Sequence, residues 1–131
     1  MNRMLWVSMM VLSTGVAIGE DFNGSKPMAC AALQGRDCLP TEAACKDLRP
    51  EKGKDLTLLI DVAKKQVRTP YRYDLLKIGT TTNNAKSLIL QGTSLEYAWN
   101  ATIHRTTGRL TVVIADREGA YVIFGQCKLV S

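Results

Sequence analysis

Histidine occurs once in this chain, at position 104, and aromatic residues are sparse, with two Trp, four Tyr and two Phe among 131 residues. Any acid–base or nucleophilic mechanism that uses an imidazole must therefore pass through His104. The sequence has no G-x-S-x-G elbow, Walker loop, dinucleotide fingerprint or metal motif. Its four cysteines contain no close pair. They fall as C-x7-C-x6-C followed by a distant Cys127, a spacing that suits neither a zinc site nor a thiol redox motif. Carboxylates able to work as a pair are also few: Asp116 and Glu118 flank a turn, Asp61 sits at a hairpin end, and Glu96 stands beside Ile89 on a strand face. Glycosidase chemistry, which needs two carboxyl groups at a fixed separation in a cleft, finds no good pair among them. Repeats, low-complexity tracts and glycine-rich linkers are missing as well. One small domain with one modest core is expected, with neither cofactor nor metal.

What is present begins with a polar, positive start (Asn2, Arg3), an apolar run from Met4 to Ile18, and the small-residue stretch Ala17-Ile18-Gly19. This predicts a cleaved secretory signal peptide over residues 1–19. The competing reading is a membrane anchor, but the run is shorter than the roughly 20 residues of a spanning helix and carries Ser8, Ser13, Thr14 and Gly15. The expected mature chain is periplasmic or extracellular, with no stable membrane anchor. It has 16 basic and 12 acidic residues, a net charge of +4. The basic stretch from Lys46 to Lys77 is interleaved with five acids and reads as a solvated face. Export also argues against a nucleic-acid partner.

The strongest structural signal lies between Leu95 and Lys128, three apolar-rich runs separated by T-T-G and R-E-G. With an even loop at Thr107-Gly108, or a four-residue one at Thr106–Arg109, Ile103 would face Val112 and Ala101 would face Ile114, gathering one apolar face. A three-residue loop with Gly119 left-handed would then set Val122 opposite Ile114 and Phe124 opposite Val112. The expected inside is Trp99, Ala101, Ile103, Val112, Ile114, Val122 and Phe124. The other face, with Val113, Ala115, Tyr121 and Ile123, is half apolar and asks for a cover. Upstream, Leu56, Leu58, Ile60 and Val62 alternate, and a hairpin around Lys64-Lys65 would pair Val62 with Val67. Gly92-Thr93 reads as a type II′ turn that sets Leu90 opposite Leu95 and Leu88 opposite Tyr97. Tyr71–Gly79 reads as an irregular strand or turn, and Thr80–Lys86 as a polar loop.

Residues 20–27 read as a loose leader, Met28–Gln34 as either helical or extended, and Thr41–Cys45 as one helical turn. The expected fold is mainly β: an antiparallel meander of six to seven strands, residues 55–131, forming a small barrel or a two-layer sandwich. A disulfide-tethered N-terminal segment, residues 20–54, completes it. Four cysteines in an exported chain imply two bridges, and the favoured pairing is Cys38 with Cys45 and Cys30 with Cys127. The second would close nearly the whole domain and lay the N-terminal segment over the half-apolar face.

The strand Trp99–Ile103 (W-x-A-x-I), the hairpin Thr107–Leu110 (T-G-x-L) and the closing Gly125–Cys127 (G-x-C) resemble those of short exported bacterial β-sheet proteins of uncharacterised function. More loosely the chain is similar to periplasmic lysozyme inhibitors, whose S-G-x-x-Y loop it lacks. The function these observations imply is non-enzymatic binding of a protein or cell-envelope partner. Alternatives are a small hydrolase using His104 and a small-molecule carrier with an apolar cavity. His104, Arg105 and Tyr121 are the candidate surface site.

Overall fold

The computed structural model describes residues 19–130, so the expected signal peptide lies, apart from Gly19, outside the described residues. Ten strands follow one another: β1 (Met28–Cys38), β2 (Lys46–Asp47), β3 (Thr57–Asp61), β4 (Gln66–Arg68), β5 (Leu75–Lys77), β6 (Thr80–Asn83), β7 (Ser87–Thr93), β8 (Tyr97–His104), β9 (Arg109–Asp116) and β10 (Ala120–Leu129). No helix occurs among the described residues. All the strands belong to one antiparallel sheet ordered β5-β4-β3-β1-β10-β9-β8-β7-β6, with β2 paired to the end of β1. The outermost strands β5 and β6 are joined in sequence by Ile78 and Gly79 alone. Two residues span so little that the sheet must curl until its edges meet at that corner, where the Gly79 amide donates to the Gln91 carbonyl at 2.8 Å. The product is a half-barrel whose concave face holds the core: Met28, Leu58, Ile60, Leu88, Ile103, Ile114 and Ile123, with Trp99 and Tyr71 buried among them.

The mainly-β meander and both disulfides, Cys30–Cys127 and Cys38–Cys45, are as expected from the sequence. The strand count is larger, because β1, β2, β5 and β6 join the sheet. Met28–Cys38 is a central strand between β3 and β10, not a cover laid over a face. Residues 20–27, expected as a loose leader, are also fixed: Phe22 is buried and its amide donates to the Arg105 carbonyl at 3.0 Å. Residues 39–42 form a turn closed by the Glu42 amide bonding to the Leu39 carbonyl, and a bend over 42–44 follows it in place of a helical turn.

Hairpin registers differ from the expected ones for a single physical reason. The turns carry side-chain acceptors that take the amides of the next residues, and of Gly92, Gly108 and Gly119 only Gly108 sits in its turn with a positive φ. Asp61 accepts from the Lys64 amide at 3.1 Å. Asn84 accepts from Lys86 and Ser87, both at 2.9 Å. Ser94 accepts from Glu96 and Tyr97 at 3.1 and 3.3 Å. His104 Nδ1 accepts from Thr106 and Thr107 at 3.2 and 3.1 Å, and Asp116 accepts from Glu118 and Gly119, both at 2.9 Å. Each acceptor adds side-chain bonds to a turn that the backbone also closes, as where the Ser94 amide donates to the Tyr97 carbonyl at 2.8 Å and the Asp116 amide to the Gly119 carbonyl at 3.0 Å.

The β7–β8 turn therefore falls at Leu95-Glu96. Leu88 faces Ile103 and Leu90 faces Ala101; Leu95 is fully exposed at the tip, and Gly92 lies within β7 opposite Trp99. Gly92 is there for space, since a Cβ would collide with the Lys77 carbonyl and the Trp99 indole. The β8–β9 loop is even but spans Arg105–Gly108, so Ile103 pairs with Leu110 and Ala101 with Val112. In the β3–β4 hairpin Ile60, not Val62, faces Val67. These shifts are even and keep the inward faces. The β9–β10 shift is odd. Ile123 pairs with Val112 and Tyr121 with Ile114, so Tyr121, Ile123 and Cys127 point inward while Val122 and Phe124 point out, Phe124 being 43% exposed. A bulge at Leu33 reverses the parity of β1 so that both Ala32 and Gly35 face in.

Candidate functional site

The two ends of the half-barrel are finished differently. At the end carrying the β3–β4, β6–β7 and β8–β9 turns, Phe22 packs against Gly108 and Gly24 packs against Val62 and Leu88. The plug is pinned from outside. Arg105 donates to both carboxylate oxygens of Asp21, at 3.0 and 2.7 Å, and to the Asn84 carbonyl at 2.7 Å. The Asp21 carboxyl is held below its ordinary range first by that Arg105 hydrogen bond. Arg105, one of the three expected surface residues, is thus a clamp on the N-terminal segment.

His104 lies at the same end and is exposed. Its Nδ1 already accepts the two turn amides, which in the neutral ring puts the proton on Nε2 and leaves no basic nitrogen free. Tyr121 lies at the opposite end of the strands: His104 precedes the start of β9, and Tyr121 faces Ile114 near its finish. The three residues do not form one site.

The other end is open and gathers three of the four tyrosines. Tyr97 and Tyr121 reach it by strand register, as inward-facing residues at the start of β8 and of β10. Tyr73 arrives from across the half-barrel, on the Thr69–Asp74 connection between β4 and β5. Buried Thr69 stiffens that connection, donating through Oγ1 to the Tyr73 carbonyl at 2.8 Å and accepting from the Tyr71 amide at 3.2 Å. The Tyr73 and Tyr97 rings lie 4.2 Å apart between centroids, tilted by 36°, and the Tyr73 and Tyr121 rings lie 6.1 Å apart. The wider separation is that of an attractive tilted pair, and the shorter one puts the Tyr73 and Tyr97 rings in direct contact. The Tyr97 hydroxyl donates to the Leu75 carbonyl at 3.3 Å.

Charge is organised around the tyrosines. The Tyr73 hydroxyl donates to Asp116 Oδ2 at 2.7 Å, while Oδ1 of the same carboxylate holds the β9–β10 turn. Tyr73 is pushed up to about 12, by desolvation first and then by its bond to Asp116. Asp116 is held below the usual carboxylate range, chiefly by the Tyr73 hydroxyl and then by the turn amides, against the opposing effect of desolvation. The Arg72 guanidinium sits 5.4 Å above the Tyr73 ring centre. It is raised above its ordinary value first by the neighbouring Tyr121 hydroxyl, then by Tyr73.

Two recesses of about 130 Å³ each open on either side of Arg72. One is bounded by Tyr73, Glu96, Arg117 and Glu118, the other by Asp37, Leu39, Gly119 and Tyr121, and both touch Asp116. Larger hollows of about 380 and 400 Å³ beside Thr69 and Trp99 gather no comparable aromatic cluster. The Cys38–Cys45 bridge anchors the wall that carries Leu39, and the Cys38 carbonyl packs so closely on Gly119 that a Cβ there would overlap it.

No protein-family model matches this chain, and no curated protein or solved structure is similar to it. The site rests on its own geometry. Among the described residues no three His, Cys, Asp or Glu side chains are grouped to hold a metal ion, and no helix is long and apolar enough to cross a membrane. Tyr121 is the one residue of the tyrosine mouth named from sequence. Tyr73 joins it by a long-range crossing that no local pattern reports, and Tyr97 by a strand register that the expected Gly92-Thr93 turn misplaces. The available signal was the Tyr71-Arg72-Tyr73 triplet, which brings half of the chain's tyrosines and an arginine into one turn.

Proposed function

We propose that this chain is an exported bacterial binding protein without catalytic activity, working in the periplasm or the extracellular space, and that the tyrosine mouth is its binding face. Two disulfides among the described residues fit an oxidising, non-cytoplasmic compartment. The apolar run at residues 4–18 supports export through a cleaved signal peptide. The single observation that carries the binding role is the unequal finish of the two ends. One is sealed by Phe22, while the other leaves three tyrosines half-buried beside unfilled recesses. Tyrosines with an apolar body and a polar tip, held by a rigid sheet, recur at recognition surfaces because they offer contact area at little cost in side-chain entropy. A hydrolase built on His104 draws no support from an imidazole committed to its own turn. A carrier would need an enclosed apolar cavity, and the concave face is filled by its own side chains.

The test is to expose isotopically labelled protein to separated protein, glycan and lipid fractions of a bacterial envelope and to map amide shifts. Perturbations collecting on Tyr73, Tyr97, Asp116 and Tyr121 are expected. Turnover on a panel of hydrolase substrates, with no response at the mouth, would overturn the reading. Export is checked separately by fusing residues 1–19 to a periplasm-dependent reporter.

A further inference from the structure

We infer that the tyrosine mouth receives an organic cation, a guanidinium or alkylammonium head group, and that Arg72 is the protein's own occupant of that receptor. The inference rests on the mouth being the binding face. A cation already sits there: the Arg72 guanidinium lies 5.4 Å above the Tyr73 ring, inside the range in which the ring quadrupole attracts positive charge. Tyr97 and Tyr121 pack against the same ring, so the aromatic surface is wider than one side chain covers. Each recess beside Arg72, at about 130 Å³, is on the scale of a single head group.

The surrounding charge selects the sign of the ligand. Asp37, Glu96, Asp116 and Glu118 line the two recesses against Arg72 and Arg117, four acids and two bases, a local net of −2 on a chain that is formally +5. None of the four salt bridges among the described residues involves Asp37, Glu96 or Glu118. Asp116 is committed to the Tyr73 hydroxyl and the turn amides, so it keeps its charge in place while holding the ring that the cation faces. Arg72 is exposed, and an incoming cation can exchange one cation–π contact for another as Arg72 swings into water. An anion entering the same space would meet the carboxylates.

The experiment follows the tyrosine ring signals by NMR in the mature protein. Tetramethylammonium chloride, N-acetyl-arginine amide and a pentapeptide of one arginine among alanines are titrated against sodium chloride, sodium acetate and maltotriose. Saturable shifts on Tyr73, Tyr97 and Tyr121 are expected for the three cations and not for the controls. Arg72→Ala should tighten cation binding about two- to five-fold by removing the resident group. The exposed pair Glu96→Gln/Glu118→Gln should weaken it about three-fold or more. Tighter binding of the peptide than of the free amide assigns a peptide-borne source, and equal binding a free small cation; either supports the inference. It is overturned if the cations leave the rings unmoved, or if Arg72→Ala weakens binding. If maltotriose alone moves the rings, the cation class falls and the binding role stands. If envelope fractions perturb only surfaces away from the mouth, the binding-face reading itself falls.

Discussion

Replacing Cys30 and Cys127 together by alanine should cost far more stability than replacing Cys38 and Cys45, and the structure supplies both magnitudes. The first bridge spans 97 residues and the second spans 7. A cross-link removes loop-closure entropy from the unfolded chain as the logarithm of the loop it closes, giving about 4.7 kcal/mol for the long bridge and about 2.4 kcal/mol for the short one. Packing widens the gap. Cys30 and Cys127 are 0% and 3% exposed, so deleting their sulfurs leaves unfilled space in the core. That adds about 1 kcal/mol or more. Cys45 is exposed, and the short bridge has little of this contribution. The totals are about 6 and about 2.4 kcal/mol, the former a large share of the roughly 5–15 kcal/mol that holds a domain folded.

Urea unfolding of the two double variants, each with its remaining bridge verified by mass, reads both effects. The long-bridge variant should also show a larger m-value, because its unfolded chain is no longer held compact at the β1–β10 junction. The short-bridge variant should not. Equal losses in the two variants, or a larger loss for Cys38→Ala/Cys45→Ala, would refute the reasoning; so would an unchanged m-value in the long-bridge variant.

Tyr73→Phe removes the hydroxyl that holds Asp116 low. A depressed folded pKa stabilises the protein above the ordinary aspartate value and is lost as pH falls through the folded value, so the variant should lose about 1 kcal/mol at neutral pH and less in strong acid. That figure is a charge-assisted bond discounted for partial exposure. In alkali the sign reverses. Wild-type Tyr73, pushed up to about 12, contributes fully below about pH 10 and is lost as pH rises through 12, so tyrosinate absorbance should show a late step that the variant lacks. His104→Ala should cost about 1 kcal/mol by freeing the Thr106 and Thr107 amides, and His104→Asn should restore most of it in thermal melts; failure of asparagine to rescue would remove His104 from the turn. Phe22→Ala should cost about 3 kcal/mol and speed hydrogen exchange at the Cys127 amide, which bonds to the Gly108 carbonyl at 2.8 Å beneath the plug. Unchanged exchange there would mean the plug does not seal that end.

Most of the sheet was legible because period-two alternation survives errors in turn position. Leu88, Leu90, Trp99, Ala101, Ile103, Val112 and Ile114 all face inward as their parity requires, although their pairings moved by two or six residues. The β9–β10 hairpin was not legible by the same means, since an odd shift exchanges the faces. Its apolar content is balanced between Val122 and Phe124 on one side and Tyr121 and Ile123 on the other, so hydrophobicity alone could not choose. The deciding feature was Asp116, whose carboxylate closes a two-residue turn at Arg117-Glu118 and leaves Gly119 without a positive φ. Gly119 is required instead by the Cys38 carbonyl, a contact between segments 81 residues apart that no local pattern reports. Cysteine spacing was informative for the complementary reason: a covalent constraint states a long-range contact outright.

The same side chain that decided the register also builds the mouth. One oxygen of Asp116 fixes the β9–β10 turn, which places Tyr121 on the concave face; the other receives the Tyr73 hydroxyl from the far side of the half-barrel. Had Gly119 made the turn through a left-handed conformation, Tyr121 would point outward and Asp116 would have no turn to hold. The tyrosine mouth is therefore a consequence of turn chemistry, and a change at Asp116 tests its parts together. Asp116→Asn keeps a turn acceptor and a weaker bond to Tyr73, so it should preserve the fold while removing one local negative charge. Asp116→Ala removes both roles, and should loosen Tyr73 and Tyr121 together. If the two rings responded independently to Asp116→Ala in their NMR signals, the carboxylate would not be the joint between them.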